Sequence, residues 1–64
     1  MAKIWRNRIE AGTQKLSDCP QRYRNDVIAL IQADLESGAF TENDLQHLVE
    51  IGMMTEDEYN EIIG

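Results

Sequence analysis

The sequence predicts an all-α fold: a small bundle of three to four short helices, the last two forming a helical hairpin, in one domain that covers residues 1–64. Apolar residues recur at spacings of three and four through the middle of the chain, as on one face of a helix. A pattern that stops one helix and starts the next is repeated near the C-terminal end. No segment shows the alternation with period two that is typical of a strand, so we expect no sheet.

The first helix is predicted over residues 2–11, and Gly12 is expected to end it. Its apolar side consists of Ile4, Trp5 and Ile9. Arg6 and Glu10 are four residues apart, a spacing that favours an ion pair within the helix.

Residues 13–19 are predicted to form a polar connecting loop that Leu16 anchors to the core. Pro20 is expected in the first turn of the second helix, where the missing N–H group costs least. Three residues are open as its N-cap, namely Ser17, Asp18 and Cys19.

The second helix, about residues 20–37, is the longest and the most amphipathic. We expect it to contribute most of the core, because its apolar residues form one wide stripe. The stripe consists of Tyr23, Val27, Ile28, Leu30, Ile31 and Leu35.

The repeated pattern contains a glycine, a threonine three residues later, and an acidic residue three further on. Its two copies, fourteen residues apart, are Gly38, Thr41 and Asp44, then Gly52, Thr55 and Glu58. Each glycine suits the left-handed position just past a helix end. Each threonine suits an N-cap, and the acidic residue can complete a capping box by accepting from the N–H group of the threonine.

These signals predict a third helix over residues 42–51 and a fourth over residues 56–63. Their apolar residues are Leu45, Leu48, Val49, Tyr59, Ile62 and Ile63. Because the link between them is short, we expect an antiparallel hairpin that closes over the second helix. Phe40, Met53 and Met54 are predicted to fill the space between the turns.

Charge is distributed unevenly along a chain whose net charge is -6. All six basic residues lie within the first 24 positions. Residues 1–33 contain these six and three acidic residues, which gives a charge of +3. Residues 34–64 contain nine acidic residues and no basic one, which gives -9. One interpretation is that each half simply solvates its own face. The other is a two-poled surface that stacks head to tail or docks on charged partners. The net negative charge disfavours nucleic-acid binding, since the phosphates of a nucleic acid repel an acidic protein.

Nothing in the chain resembles a signal peptide or a membrane span, because the longest apolar run, residues 27–31, has five residues. One cysteine excludes an internal disulfide and fits a reducing compartment. So short a chain buries a small core and has marginal stability.

Two residues are candidates for a chemical role, His47 and Cys19. His47 has an acidic residue three positions away on either side, Asp44 and Glu50, and this combination could hold a metal weakly. Any acidic helix offers that spacing, however. We therefore expect an ordinary, partly exposed histidine. Cys19 near a helix start has the position of a nucleophile, yet Pro20 removes a stabilising N–H group, and we expect an inert thiol. The sequence has no phosphate loop, catalytic triad or paired cysteine ligands. We therefore expect neither enzymatic activity nor a bound cofactor or metal.

Two surfaces are candidates for binding a protein. The first combines aromatic and basic residues, which are Trp5, Arg8, Tyr23 and Arg24. Trp5 belongs to it only if exposed; the alternative is that Trp5 fills the core. The second is an acidic face that would imitate a row of phosphates, as DNA-mimicking inhibitors do. It consists of Glu42, Asp44, Glu50, Glu56, Asp57, Glu58 and Glu61.

The stretch from Gly38 to Gly64 reads Gly-x-x-Thr-x-x-x-Leu-x-x-Leu-Val-x-x-Gly-x-x-Thr-x-x-x-Tyr-x-x-Ile-x-Gly. It resembles the XkdX-type family of phage and prophage proteins, whose members typically end in Ile-Thr-x-Glu-x-Tyr-x-x-Ile-x-Gly. The departures include Met54 for isoleucine and Ile63 for the usual threonine. The first half is similar to other very short phage proteins with an Ala-Gly-x-x-x-x-x-Asp-Val-Pro pattern. In the present chain, Cys19 stands at the position of the valine.

The XkdX-type family is usually encoded among phage tail genes and has no established biochemical activity. The resemblance therefore implies an accessory role in a tail or its assembly, with a phage structural or assembly protein, or a second copy, as partner. It also implies a location in the cytoplasm of the bacterial host or in the virion, and it transfers no functional residue. The alternative is a phage-encoded acidic inhibitor of a host nuclease or defence complex.

Overall fold

The computed structural model describes all 64 residues, and it confirms the all-α bundle. Its elements are α1 (Ala2–Glu10), a 3₁₀ turn (Leu16–Asp18), α2 (Gln21–Ser37), α3 (Glu42–Glu50) and α4 (Glu56–Ile63). Helix α1 packs against α2 and α3, while α4 packs against α2 and α3. The last two helices thus form a hairpin. The hairpin does not close over α2 as a whole, because α4 packs on α2 whereas α3 packs on α1. No helix is both long enough and apolar enough to span a bilayer.

The core is small and entirely apolar, with contributions from every helix and from the 3₁₀ turn. Its ten buried residues are Ile9, Leu16, Cys19, Val27, Ile28, Ile31, Leu45, Leu48, Met54 and Ile62. Leu16 and Met54 confirm the predicted anchor of the loop and one of the predicted turn residues. The N–H group of Leu16 also donates to the carbonyl oxygen of Met53 at 2.9 Å, which fixes the 3₁₀ turn to the α3–α4 turn. Loss of any one core side chain removes a large share of so small a core.

One predicted core residue of α2, Leu30, lies outside the core and is only half-buried. A helix turns about 100° per residue. Ile28 and Leu30 therefore lie on opposite sides of the Val27–Ile31 line, each about 80° from its centre. The bundle buries the Ile28 side.

The inner face of α1 is formed by Ala2, Trp5 and Ile9, which pack in or against the core. Ile4, predicted to share that side, is exposed, because it lies about 100° around the helix from Trp5. Trp5 itself is half-buried. On α4, Ile63 is also exposed although it was predicted as an apolar anchor, because Ile62 takes the inward position.

The start of α2 differs from the prediction. Pro20 is the N-cap rather than the first helical residue, and its carbonyl oxygen accepts from the N–H group of Tyr23 at 2.9 Å. None of the three candidate caps makes a capping hydrogen bond. Ser17 and Asp18 belong to the 3₁₀ turn, and the side chain of Cys19 is buried in the core.

Both predicted capping boxes are present. Thr41 Oγ1 accepts from the N–H group of Asp44 at 3.2 Å, and Asp44 Oδ2 accepts from that of Thr41 at 3.1 Å. Thr55 and Glu58 exchange the same two bonds, at 3.2 and 2.8 Å. Helices α1 and α3 each end one residue earlier than predicted, with Ala11 and Ile51 as C-caps.

Gly52 ends α3 with φ +82°, and two hydrogen bonds close the turn around it. Its N–H group donates to the carbonyl oxygen of Val49 at 3.1 Å, and that of Met53 donates to Leu48 at 2.8 Å. A Cβ at this position would meet nothing within 4 Å. Any cost of a side chain here therefore comes from the backbone conformation alone.

We expect Gly52→Val to destabilise the protein by about 1 kcal/mol or more, because a β-branched residue resists a positive φ. In a domain of this size that corresponds to a melting temperature lower by about 4–8 °C. Gly52→Asn is the matched control, since asparagine tolerates the left-handed region, and it should cost less. Equal melting temperatures for the valine variant and the wild type would contradict the role of this turn.

Candidate functional site

The predicted aromatic and basic surface is divided between two places. Trp5 and Arg8 lie on α1, where Arg8 is exposed and forms no ion pair. Tyr23 is half-buried at the start of α2, with the guanidinium of Arg22 4.9 Å above the centre of its ring. Neighbouring Arg24 is bound to α4. The four residues therefore form two pairs on different helices.

Arg24 forms a two-pronged ion pair with Glu61, which links the start of α2 to the end of α4. Its Nη1 and Nη2 atoms donate to Glu61 Oε2 and Oε1 at 2.9 and 2.7 Å. These hydrogen bonds lower the pKa of Glu61 and raise the pKa of Arg24. A partner that uses Arg24 would have to compete with this internal bond.

Four of the seven carboxylates of the acidic face also have partners within the chain. Asp44 and Glu58 complete capping boxes, Glu61 pairs with Arg24, and Glu42 accepts a hydrogen bond from the Tyr59 hydroxyl at 3.2 Å. Burial and this bond raise the pKa of Tyr59. The carboxylates without such a bond are Glu50, Glu56 and Asp57. The structure thus leaves three free carboxylates rather than a row of seven.

An open groove, here called the C-terminal groove, lies where α2, α3 and α4 meet, and its volume is about 530 Å³. It is lined by Gln32, Leu35, Glu36, Glu42, Ile62 and Ile63. The lining combines an apolar floor with two carboxylates and contains no basic residue. Gln32 Nε2 donates to the carbonyl oxygen of Ile62 at 3.0 Å and so joins two of its walls.

This groove was not predicted from the sequence. Leu35, Ile62 and Ile63 were expected in the core, and neither Gln32 nor Glu36 was among the candidate residues. The one signal of the groove in the sequence was Ile63, an apolar residue beyond the last inward-facing position of the final helix.

A smaller cleft of about 220 Å³ lies between α3 and α4 and is lined by Gln46, Val49, Glu50, Glu56 and Tyr59.

A cluster of three charged groups lies at the contact of α1 and α2. Arg6 pairs with Asp34 across the helices, Nη1 to Oδ2 at 2.9 Å, and not with Glu10 as its spacing predicted. When Glu10 is ionised, its Oε2 atom is buried without a hydrogen-bond donor. Burial, a hydrogen bond from the protonated Glu10 to Asp34, and the negative charges of Asp34 and Asp44 raise the pKa of Glu10 to about 7, against the opposing attraction of Arg6.

The two candidates for a chemical role, Cys19 and His47, line neither cleft. Cys19 is buried, and burial raises the pKa of its thiol despite the nearby charge of Arg24, so the thiolate that a nucleophile requires is disfavoured. Its thiol donates a long hydrogen bond to the carbonyl oxygen of Pro20 at 3.6 Å. His47 is exposed on α3. No group of three or more metal-binding side chains converges anywhere in the molecule.

The chain matches a known protein family. A family model described as "Phage uncharacterised protein (Phage_XkdX)" matches residues 31–64, just over half of the chain. This region contains the C-terminal part of α2 from Ile31 onward, α3 and α4. Neither the curated proteins nor the solved structures contain a significant match.

Proposed function

The chain belongs to the XkdX family of phage proteins, and from this premise we propose that it acts without catalysis or cofactor, by protein–protein contact, as an accessory to phage tail structure or assembly. The family membership agrees with the resemblance of the C-terminal half. The tail role rests on what that resemblance implies. The proposed location is the cytoplasm of the bacterial host or the virion.

The observation that carries the proposal is the place of the C-terminal groove. All six residues that line it fall within residues 31–64, the part that the family model matches. Exposed apolar surface rimmed by polar groups is typical of protein-binding sites. The groove offers such a surface through Ile63, next to Glu36 and Glu42.

The test is a capture experiment with the tagged chain in prophage-induced cells, followed by identification of the bound proteins. We expect recovery of phage tail proteins at about 0.1 M salt and also at about 1 M, where charge contacts are screened within about 3 Å. Ile63→Glu should abolish the recovery. Ile51→Glu changes an equally exposed isoleucine outside the groove and should leave the recovery intact. Failure to recover any tail protein would refute the proposal.

The acidic-inhibitor alternative predicts a different result in the same experiment. A phosphate mimic should capture a host nuclease or defence protein, and the capture should weaken steeply as salt rises. The carboxylates available to such a mimic are the three that have no internal partner, Glu50, Glu56 and Asp57. Under our proposal, replacing these three by their amides leaves the capture of tail proteins unchanged.

A further inference from the structure

The outer side of α1, together with its N-cap residue Met1, carries an apolar and basic stripe formed by Met1, Ile4 and Arg8. Positions spaced by three and four lie on one face of a helix. This face is about 100° away from the inner face, because each of its members precedes a member of the inner face by one residue. Ile4 is 45% exposed, and Arg8 is exposed without an ion pair. The stripe therefore has no partner within the chain.

The C-terminal groove has the complementary chemistry. Ile63 is 42% exposed in it, and its charged residues, Glu36 and Glu42, are both acidic. The same complementarity extends over the two halves of the chain, since every basic residue lies in the first 24 positions and residues 34–64 contain only acids. No residue of α1 lines the groove, so the stripe of one chain does not fill its own groove.

From this geometry we infer that the C-terminal groove binds the α1 stripe of a second copy of the chain. The side chain of Ile4 enters the apolar part of the groove, and Arg8 lies near Glu36 and Glu42. The volume of the groove, about 530 Å³, is within the range of clefts that bury a drug-sized molecule. Such a contact joins two different surfaces, so it repeats from copy to copy and forms a ring or an open chain. This inference rests on the proposed function and specifies its first partner.

The test uses purified protein and sedimentation velocity at about 10 μM to 1 mM. We expect the wild type to form dimers and larger species as its concentration rises. Ile4→Glu and Ile63→Glu should each weaken the association at least about tenfold. Ile51→Glu, at a 43% exposed position outside both surfaces, should not change it. Circular dichroism checks that each variant is folded.

The decisive sample is an equimolar mixture of the two blocked variants. Ile4→Glu retains a working groove and Ile63→Glu retains a working stripe, so the mixture should form dimers and nothing larger. A wild type that stays monomeric at the highest concentration would overturn the inference. So would a mixture that stays monomeric while the wild type associates, because that result indicates a contact elsewhere. Capture of tail proteins by a monomeric chain would refute only this inference, whereas self-association without tail-protein capture would refute only the proposed function.

Discussion

Leu45→Ala should lower the free energy of unfolding by about 2–5 kcal/mol and, in a protein of this size, unfold most of the molecules. Leu45 is completely buried, and it is one of only ten core residues. Truncation removes its apolar contacts and leaves a cavity that the neighbouring helices fill only partly. The measurement is urea unfolding followed by circular dichroism at 222 nm, the usual helix signal.

Leu30→Ala is the matched control, because it makes the same chemical change at a half-buried position outside the core. It should cost about 1 kcal/mol or less. Ile31→Val removes one methyl group from a completely buried side chain and should cost about 0.5–1.5 kcal/mol, which keeps the test quantitative if Leu45→Ala does not fold. A Leu30 variant as unstable as the Leu45 variant would show that the wrong side of α2 has been assigned to the core.

Glu10→Gln should stabilise the protein at pH 8 by about 1–2 kcal/mol and change its stability little at pH 4. Glu10 is half-buried, and the pKa of its carboxyl is raised from 4.5 to about 7, so the folded state holds its proton more tightly than the unfolded state does. Its contribution to stability is complete below pH 4.5 and is lost as the pH rises through 7. Without any screening by solvent, a pKa shift of this size corresponds to roughly 3 kcal/mol of stability. Partial exposure of the carboxyl to solvent reduces the expected effect of the substitution.

The charged groups that face Glu10 act in a defined way. Asp34 on α2 and Asp44 on α3 oppose ionisation of Glu10, while Arg6 on its own helix favours it. A glutamine at this position carries no charge at any pH, and its amide can donate to Asp34 as the protonated carboxyl does.

The measurement for this prediction is the urea midpoint from pH 4 to pH 8. Glu50→Gln serves as the control, because Glu50 is exposed and has no hydrogen bond or ion pair. It should preserve the wild-type decline between pH 4.5 and 7, whereas Glu10→Gln should flatten it. An equal decline in both variants would show that Glu10 is not the group responsible.

The helix ends of this protein were predictable because they depend on residues close together in sequence. A threonine and an acidic residue three apart are sufficient for a capping box, and both boxes formed as expected. The glycines after α2 and α3 adopted the expected positive φ for the same local reason. The start of α2 was not predictable in this way, since Ser17 and Asp18 belong to the 3₁₀ turn and the side chain of Cys19 is buried in the core, which leaves Pro20 as the N-cap.

The candidate site was less predictable than the helices. Its individual apolar and acidic residues are evident in the sequence, but the C-terminal groove exists only because α2, α3 and α4 meet at one corner. Likewise, the spacing of Arg6 and Glu10 allowed a local ion pair, and the approach of α2 supplied Asp34 as a better partner for Arg6. Glu10 was left half-buried beside a second carboxylate, and burial of its Oε2 atom disfavours its ionised form.

The sequence alone determined the all-α class, the four helices with most of their ends, and the separation of basic from acidic residues. These features follow from periodicity, capping and composition, which act over a few residues. Only the tertiary structure decided which side of each helix is buried. Ile28 and Leu30 are placed symmetrically about the apolar line of α2, so local preference cannot distinguish them. Which of the two side chains is buried depends on which neighbouring helices cover that line. Those helices are distant in sequence, so the outcome is decided only when they pack.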